Sequence, residues 1–277
     1  MTSQGTTGEA MSLRETLKGL VLSTYSATMR LAPARRIMGL QGPQAIILNY
    51  HRVSDEFRDG VTTGVAQFDE QMGYIARHHP VARLEEIVNG TYVRDKDRPT
   101  VAITFDDGYR DNYEDAFPIL KRHGVSATFF VSTGIVGTNL GFAHDARKLG
   151  RVVPTMSWDQ IREMRDGGMD FGSHTVTHAN LGRISREDME EELTTSLDRL
   201  KQELGLEAMP FAYPFGKQQD VTEEARQFAM SIGYTCVCSA YGGINRDPID
   251  ITDIKRLGVS GHGLPAFRAM LAGWKSW

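Results

Sequence analysis

Apolar positions along the chain fall into short blocks that alternate between two periods. Ala45–Tyr50, Val101–Phe105, Ala127–Val131, Met169–Ser173, Pro210–Phe215 and Tyr234–Ser239 are short runs of strand length, and Asp253–Val259 reads as the last strand. Between them, Phe68–His79, Asp115–His123, Glu187–Leu204, Asp220–Ile232 and Leu264–Trp274 carry apolar residues at helical spacing. Punctuation agrees with this division. Ser157 with Gln160 three residues on predicts a capping box, and Ser185 caps the long acidic helix. Gly124, Gly167 and Gly205 stand where helices should stop. Strands alternating with helices imply parallel βαβ units. The pattern therefore predicts an α/β fold, a distorted (β/α) barrel of about seven parallel strands over residues 45–277, preceded by an N-terminal helical extension over residues 1–44. The segment Gly134–Thr155 follows neither period and reads as an inserted loop.

Composition narrows the function classes. With 31 basic against 35 acidic residues, the net charge of -4 gives no electrostatic footprint for a nucleic-acid partner. The two cysteines, Cys236 and Cys238, are too close in one strand for an unstrained bridge, so disulfides are not expected to hold the fold. No apolar run is long enough to span a bilayer, and Leu20-Val21-Leu22 is too short for a secretory core. Leu13–Met38 reads as a helix interspersed with Arg14, Lys18, Arg30, Arg35 and Arg36, either a packed helix or a basic segment making peripheral membrane contact. The expected location is the cytoplasm or the inner face of the membrane.

Two constellations carry chemistry. Asp106 and Asp107 stand at the end of an apolar strand, directly before Gly108. Adjacent strand residues point to opposite sides, so only the turn at Gly108 can aim both carboxylates at one site. Two carboxylates there suggest two jobs, holding a cation and accepting a proton; the alternative is a turn-forming Asp pair. His174 and His178, four residues apart after another strand, can face one ion. Asp107, His174 and His178 together would leave room for a water, the open set that a catalytic zinc requires. In a barrel, such residues belong at the ends of strands.

TFDDGY followed about 65 residues later by SHTVTH resembles the polysaccharide deacetylase family, the NodB-type carbohydrate esterases. The early Tyr50-His51-Arg52-Val53 resembles the branch acting on exopolysaccharides such as poly-N-acetylglucosamine. The resemblance implies Asp106 as general base, Asp107, His174 and His178 as ligands of Zn2+ or another divalent metal such as Co2+, and an N-acetylated carbohydrate as substrate. Many members carry Arg-x-Pro-Tyr where this chain has Ala212-Tyr213-Pro214-Phe215, so the usual base-orienting arginine is missing. Tyr213, Pro214 and Phe215 remain expected around substrate and oxyanion, because the backbone amide of Phe215 needs no particular side chain for that role. Arg256 is a candidate replacement for the arginine. For the general acid, His51 is preferred to His262, since the first and last strands of a barrel are neighbours. His144 is a weaker candidate for substrate contact, His78, His79 and His123 suit helix ends, and Glu190-Glu191-Glu192 reads as a solvated helix face. Hydrolysis of a formyl or cyclic amide, a metal-dependent phosphoesterase, and an inactive carbohydrate-binding relic are the rival readings.

Overall fold

The computed structural model describes residues 13–28, 44–57, 59–95 and 97–273. Their strands, in chain order, are β1 (Gln44–Tyr50), β2 (Arg52–Val53), β3 (Thr62–Thr63), β4 (Thr100–Phe105), β5 (Thr128–Val131), β6 (Asp170–Ser173), β7 (Met209–Ala212), β8 (Tyr234–Cys238), β9 (Asn245–Arg246) and β10 (Arg256–Gly258). Seven of them form a parallel sheet in the order β10-β1-β4-β5-β6-β7-β8, with β9 antiparallel to β1 and β2 paired only with β3. The two ends of the sheet meet. Ile254, just before β10, donates its N–H to Val237 O at 2.8 Å and accepts from Ser239 N–H at 2.9 Å, bridging to β8. The parallel (β/α) barrel read from the sequence is thus the fold, laced at its seam by a short ladder.

Why the sheet curls is visible in its interior. Ala45, Ile47, Ala102, Phe130, Ala212, Cys236, Cys238 and Ile254 form one buried cluster, plugged by Leu84 and Ile87 of the short helix Leu84–Val88. Small residues opposite Phe130 let the strands close around it, as jigsaw packing requires. Both cysteines are free and face this interior. The caps fall as expected. Ser157 Oγ accepts Gln160 N–H at the start of Trp158–Asp166, and Ser185 Oγ accepts Asp188 N–H at the start of Arg186–Leu204.

Two expectations change. The helix expected over Asp115–His123 begins as a π-helical turn, Asn112–Ala116, and continues as Phe117–His123. Gly134–Thr155 is not merely a loop, because it contains the helix Ala143–Leu149. Its sequence hid that helix because the turn it buries is anchored by a carboxylate, Asp145, rather than by an apolar stripe.

The described residues divide into two compact units, one within 44–261 and one combining 13–28 with 262–273. In the second, the helix Leu13–Thr28 packs on the terminal helix Leu264–Leu271. Most of the expected extension, including Arg30, Arg35 and Arg36, lies outside the described residues. No described helix is long and apolar enough to cross a membrane.

Candidate active site

Chemistry-bearing residues collect where the parallel strands end. His51 follows β1, Asp106 and Asp107 follow β4, His174 and His178 follow β6, and Tyr213-Pro214-Phe215 follow β7. Among the described residues, all four non-glycine positions with left-handed backbone are here: Asp107 (φ 77°), Thr175 (φ 65°), His178 (φ 61°) and Phe215 (φ 63°). Each such residue costs about 1 kcal/mol or more, strain that persists where the surroundings fix it and that clusters at functional sites. For Asp107 the left-handed turn answers the strand-alternation problem, since it swings the second carboxylate to the side of the first. Gly108 (φ 85°) completes the turn, and a Cβ there would lie 2.8 Å from Val136 Cγ1.

Asp107 Oδ1 lies 3.1 Å from His178 Nε2 and 3.5 Å from His174 Nε2. One ligand atom from each of the three lies within 4.8 Å of the others. Asp107 Oδ1 is buried and makes no hydrogen bond of acceptable geometry, a costly arrangement unless a cation completes it. His174 Nδ1 is 2.8 Å from Ala212 O and must donate there, leaving Nε2 as a lone pair toward the other two residues. Burial depresses the His174 imidazolium to about 4, so the ring is neutral as a ligand must be. Burial would raise the Asp107 carboxyl, but His178, His51 and His174 beside it hold it well below the usual carboxylate range. One carboxylate and two imidazoles fit a divalent ion of the zinc or cobalt type.

The loop carrying the histidines has an anchor the sequence did not disclose. Glu192 Oε2 accepts the Val176 and Thr177 N–H groups at 2.7 and 3.0 Å, and its other oxygen accepts the Thr177 hydroxyl at 2.5 Å. Of the acidic run read as a solvated face, this member turns inward. Its only sequence signal is helical phase, one position from the buried Leu193.

Asp106 sits in a different environment. Arg256 reaches it from β10, with Nη1 2.6 Å from Oδ1 and Nη2 2.9 Å from Oδ2, and Asn49 Nδ2 donates to Oδ2 at 2.9 Å. Burial pushes the carboxyl up, but Arg256, then His174 and His51, outweigh it and hold it below its ordinary value. Arg256 is fully buried, its guanidinium 5.2 Å over the Phe130 ring and its Nε–H donated to Ser239 O at 2.9 Å. Ala212 adds only a methyl group to that interior.

A cleft of about 440 Å³ brings His51, Asp106, Asp107, His174, His178 and Phe215 to one surface. Phe215 is 48% exposed at its rim, its ring 4.9 Å from that of His178. Among the described residues no backbone carbonyl takes the Phe215 N–H. Tyr213 lines the cleft with both its donors spent, the N–H on Cys238 O and the hydroxyl on Thr222 O, each at 3.0 Å. Pro214 shapes the turn, its carbonyl accepting Gly216 N–H at 2.7 Å. His262 lies in the other compact unit. His123 pairs with Asp69 at 2.6 Å, and His79 Nδ1 meets Pro99 O at 3.1 Å, at the helix ends where both were read.

The inserted helix forms another wall. Arg52 is fully buried, bonds Asp145 Oδ1 at 3.0 Å and also pairs with Asp59, while Tyr109 donates its hydroxyl to Asp145 Oδ2 at 2.7 Å. This network holds His144, which lines the cleft, 3.2 Å from the Tyr109 hydroxyl.

The sequence profile described as polysaccharide deacetylase matches residues 93–237, just over half of the chain and the stretch that carries Asp106, Asp107, His174, His178 and Phe215. The chain belongs to the polysaccharide deacetylase family. Among its relatives, the YxkH protein of Bacillus subtilis is 31% identical over 148 residues, 53% of this chain and 47% of that protein. The poly-β-1,6-N-acetyl-D-glucosamine N-deacetylase of Staphylococcus aureus is 28% identical over 203 residues, 64% of this chain and 66% of that protein. The matched part spans about half the length of the first of these relatives. The deacetylase PplD of Streptococcus pyogenes, solved with acetate, superposes with a TM-score of 0.69 at 23% identity, covering 83% of this chain and 99% of that one. In this polysaccharide deacetylase chain, His51 and Arg256 lie outside the profile match, yet β1 and β10 pair in register and bring both strands to the site.

Proposed function

We propose that the chain is a metal-dependent hydrolase that removes N-acetyl groups from the amino sugars of a polysaccharide or oligosaccharide and releases acetate. One observation carries this reading: an ionised carboxylate, Asp106, is locked by Arg256 beside a buried set of one carboxylate and two imidazoles, within one open cleft. The likeness to the Staphylococcus aureus enzyme supports a poly-N-acetylglucosamine-type acceptor.

An amide carbonyl is a poor electrophile and neutral water a poor nucleophile. Held by Asp107, His174 and His178, a divalent metal supplies Lewis acidity to both partners. The chain's own groups do the rest. Asp106, ionised and aimed by Arg256 and Asn49, takes the proton of the attacking water as its oxygen bonds to the acetyl carbon. The Phe215 N–H donates to the carbonyl oxygen as charge builds on it. His51, just after β1 at the same end of the barrel, gives a proton to the sugar nitrogen as the C–N bond breaks, because an amide anion is too basic to leave. Asp107 stays ionised throughout. Phe215 and Phe142, with rings 4.9 and 5.3 Å from His178, limit water around that ligand.

The test is product analysis with the metal-stripped protein, then with Zn2+ or Co2+ restored, on N-acetylglucosamine oligomers. The reading requires metal-dependent appearance of free amines in equal amount to acetate. Acetate without new amines would place the cleavage on an ester instead.

A further inference from the structure

Among the described residues, no hydrogen bond or ion pair holds the His51 ring, so its aim is inherited from its backbone. That backbone is stitched on both sides. Tyr50 O accepts Asp106 N–H at 3.0 Å, His51 O accepts Asn112 Nδ2 at 2.7 Å, and Val53 N–H donates to Asp111 Oδ1 at 3.3 Å. Opposite them, Arg52 N–H donates to Val61 O at 3.3 Å and Ser54 N–H to Thr63 O at 3.0 Å.

Asn112 is the hinge of the first set. It is fully buried, and its amide also donates to Asp111 Oδ1 at 2.9 Å. It opens the π-helical turn Asn112–Ala116. Such turns are rare and are frequent at functional sites. Both of its bonded partners are acceptors, which fixes the amide nitrogen toward His51 O.

We propose that Asn112 is a positioning residue for His51. Its carboxamide fixes the peptide that aims the imidazole at the departing amine. The segment 106–112 then carries the base, a metal ligand and the clamp on the proton donor, so the three move as one piece. This inference rests on the reading of His51 as the acid.

Two acetyl donors separate the role from simple stabilisation. N-acetylglucosamine oligomers release an amine that must be protonated, whereas 4-nitrophenyl acetate releases a phenolate that need not be. The Zn2+-loaded wild type, Asn112→Ala, Asn112→Ser, His51→Ala and the His51→Ala/Asn112→Ala double variant are compared by the ratio of amide to ester turnover. That ratio is independent of how much protein folds. Asn112→Ala should lower kcat on the oligomer roughly 30-fold, with KM within about twofold and ester turnover within about threefold. Asn112→Ser should fall between it and the wild type. The double variant should be no worse than His51→Ala, since residues acting as a unit are not additive. An unchanged ratio in both Asn112 variants, or a double variant showing the product of the single losses, overturns the positioning role while leaving the deacetylase reading intact. If His51→Ala itself loses both activities in parallel, the acid assignment falls and this inference with it.

Discussion

Arg256 and Asp106 form a two-pronged ion pair across the interior of the barrel, with N–O distances of 2.6 and 2.9 Å and both side chains out of solvent. The pair joins the last strand to the end of β4, and it fixes both the direction and the charge of the carboxylate read as the base. Lysine cannot reproduce the planar fork. Arg256→Lys should therefore lower kcat on an N-acetylated oligomer by about 10- to 100-fold with bound metal unchanged, and Arg256→Ala by more. Turnover and metal content measured on the same samples check this.

The same pair sets a pH dependence. Arg256 holds the Asp106 carboxyl below its ordinary value against the opposing effect of burial. Without Arg256, burial acts unopposed by the guanidinium, and protonation of Asp106 begins at higher pH. The acidic limb of the kcat profile should move upward in Arg256→Ala. A limb that stays in place would assign it to another group.

Stability of the metal-free protein should fall on the acid side for a separate reason. His174 is neutral in the fold because burial depresses it to about 4, while the unfolded ring titrates near its ordinary value. Between those values the unfolded chain binds more protons, so stability is complete above about pH 6.5 and declines toward pH 4. The loss is on the order of 3 kcal/mol. Denaturant titrations of the apo-protein at several pH values, with His174→Gln as control, measure it. Added Zn2+ should raise the melting temperature of the wild type and do so much less in His174→Gln.

Glu192 tests the histidine loop. It satisfies two backbone N–H groups and a hydroxyl between His174 and His178 without touching either ring. Glu192→Ala should weaken Zn2+ binding by roughly 10- to 100-fold, the range for outer-shell partners of metal ligands. Competition with a chromogenic chelator reads the affinity directly.

Arg52 carries the inserted helix. Removing it leaves Asp59 and Asp145 buried without their cation. Arg52→Ala should therefore destabilise by about 3–5 kcal/mol. Asp145→Asn keeps the shape and should cost less. Equal, small effects of both would show that the network contributes little.

The membrane contact expected of the basic segment Leu13–Met38 gains an apolar counterpart in Leu17, Leu20 and Val21. They are exposed along one stripe of the helix Leu13–Thr28, in a stretch, 13–38, with five basic residues and only Glu15 acidic. We propose that this stripe lies on an anionic bilayer. Sedimentation with phosphatidylglycerol vesicles should retain the wild type, release Leu17→Ser/Leu20→Ser, and weaken with salt.

Much of this was legible in the residues. Strand and helix alternation gave the barrel because period and punctuation agreed, from the run Val101–Phe105 to the Ser157 capping box. Asp107, His174 and His178 were readable because each stands just after a strand. Arg256 could only be guessed at, since its approach to Asp106 depends on barrel closure across 150 residues of sequence. Glu192 and Asp145 stayed hidden because a charged residue on a helix usually faces water, and only tertiary placement turns these two inward. Strand β7 stops at Ala212 rather than Phe215 because the chain turns left-handed at Phe215, a conformation that no aromatic residue signals.

The most direct test of the whole account is acetate release from N-acetylglucosamine oligomers by the Zn2+-loaded wild type and by Asp106→Asn, with bound zinc assayed in the same preparations. The account predicts steady release by the wild type and a loss of about 100-fold or more in Asp106→Asn at unchanged zinc content. Equal turnover by the two proteins, each with its metal in place, would contradict it.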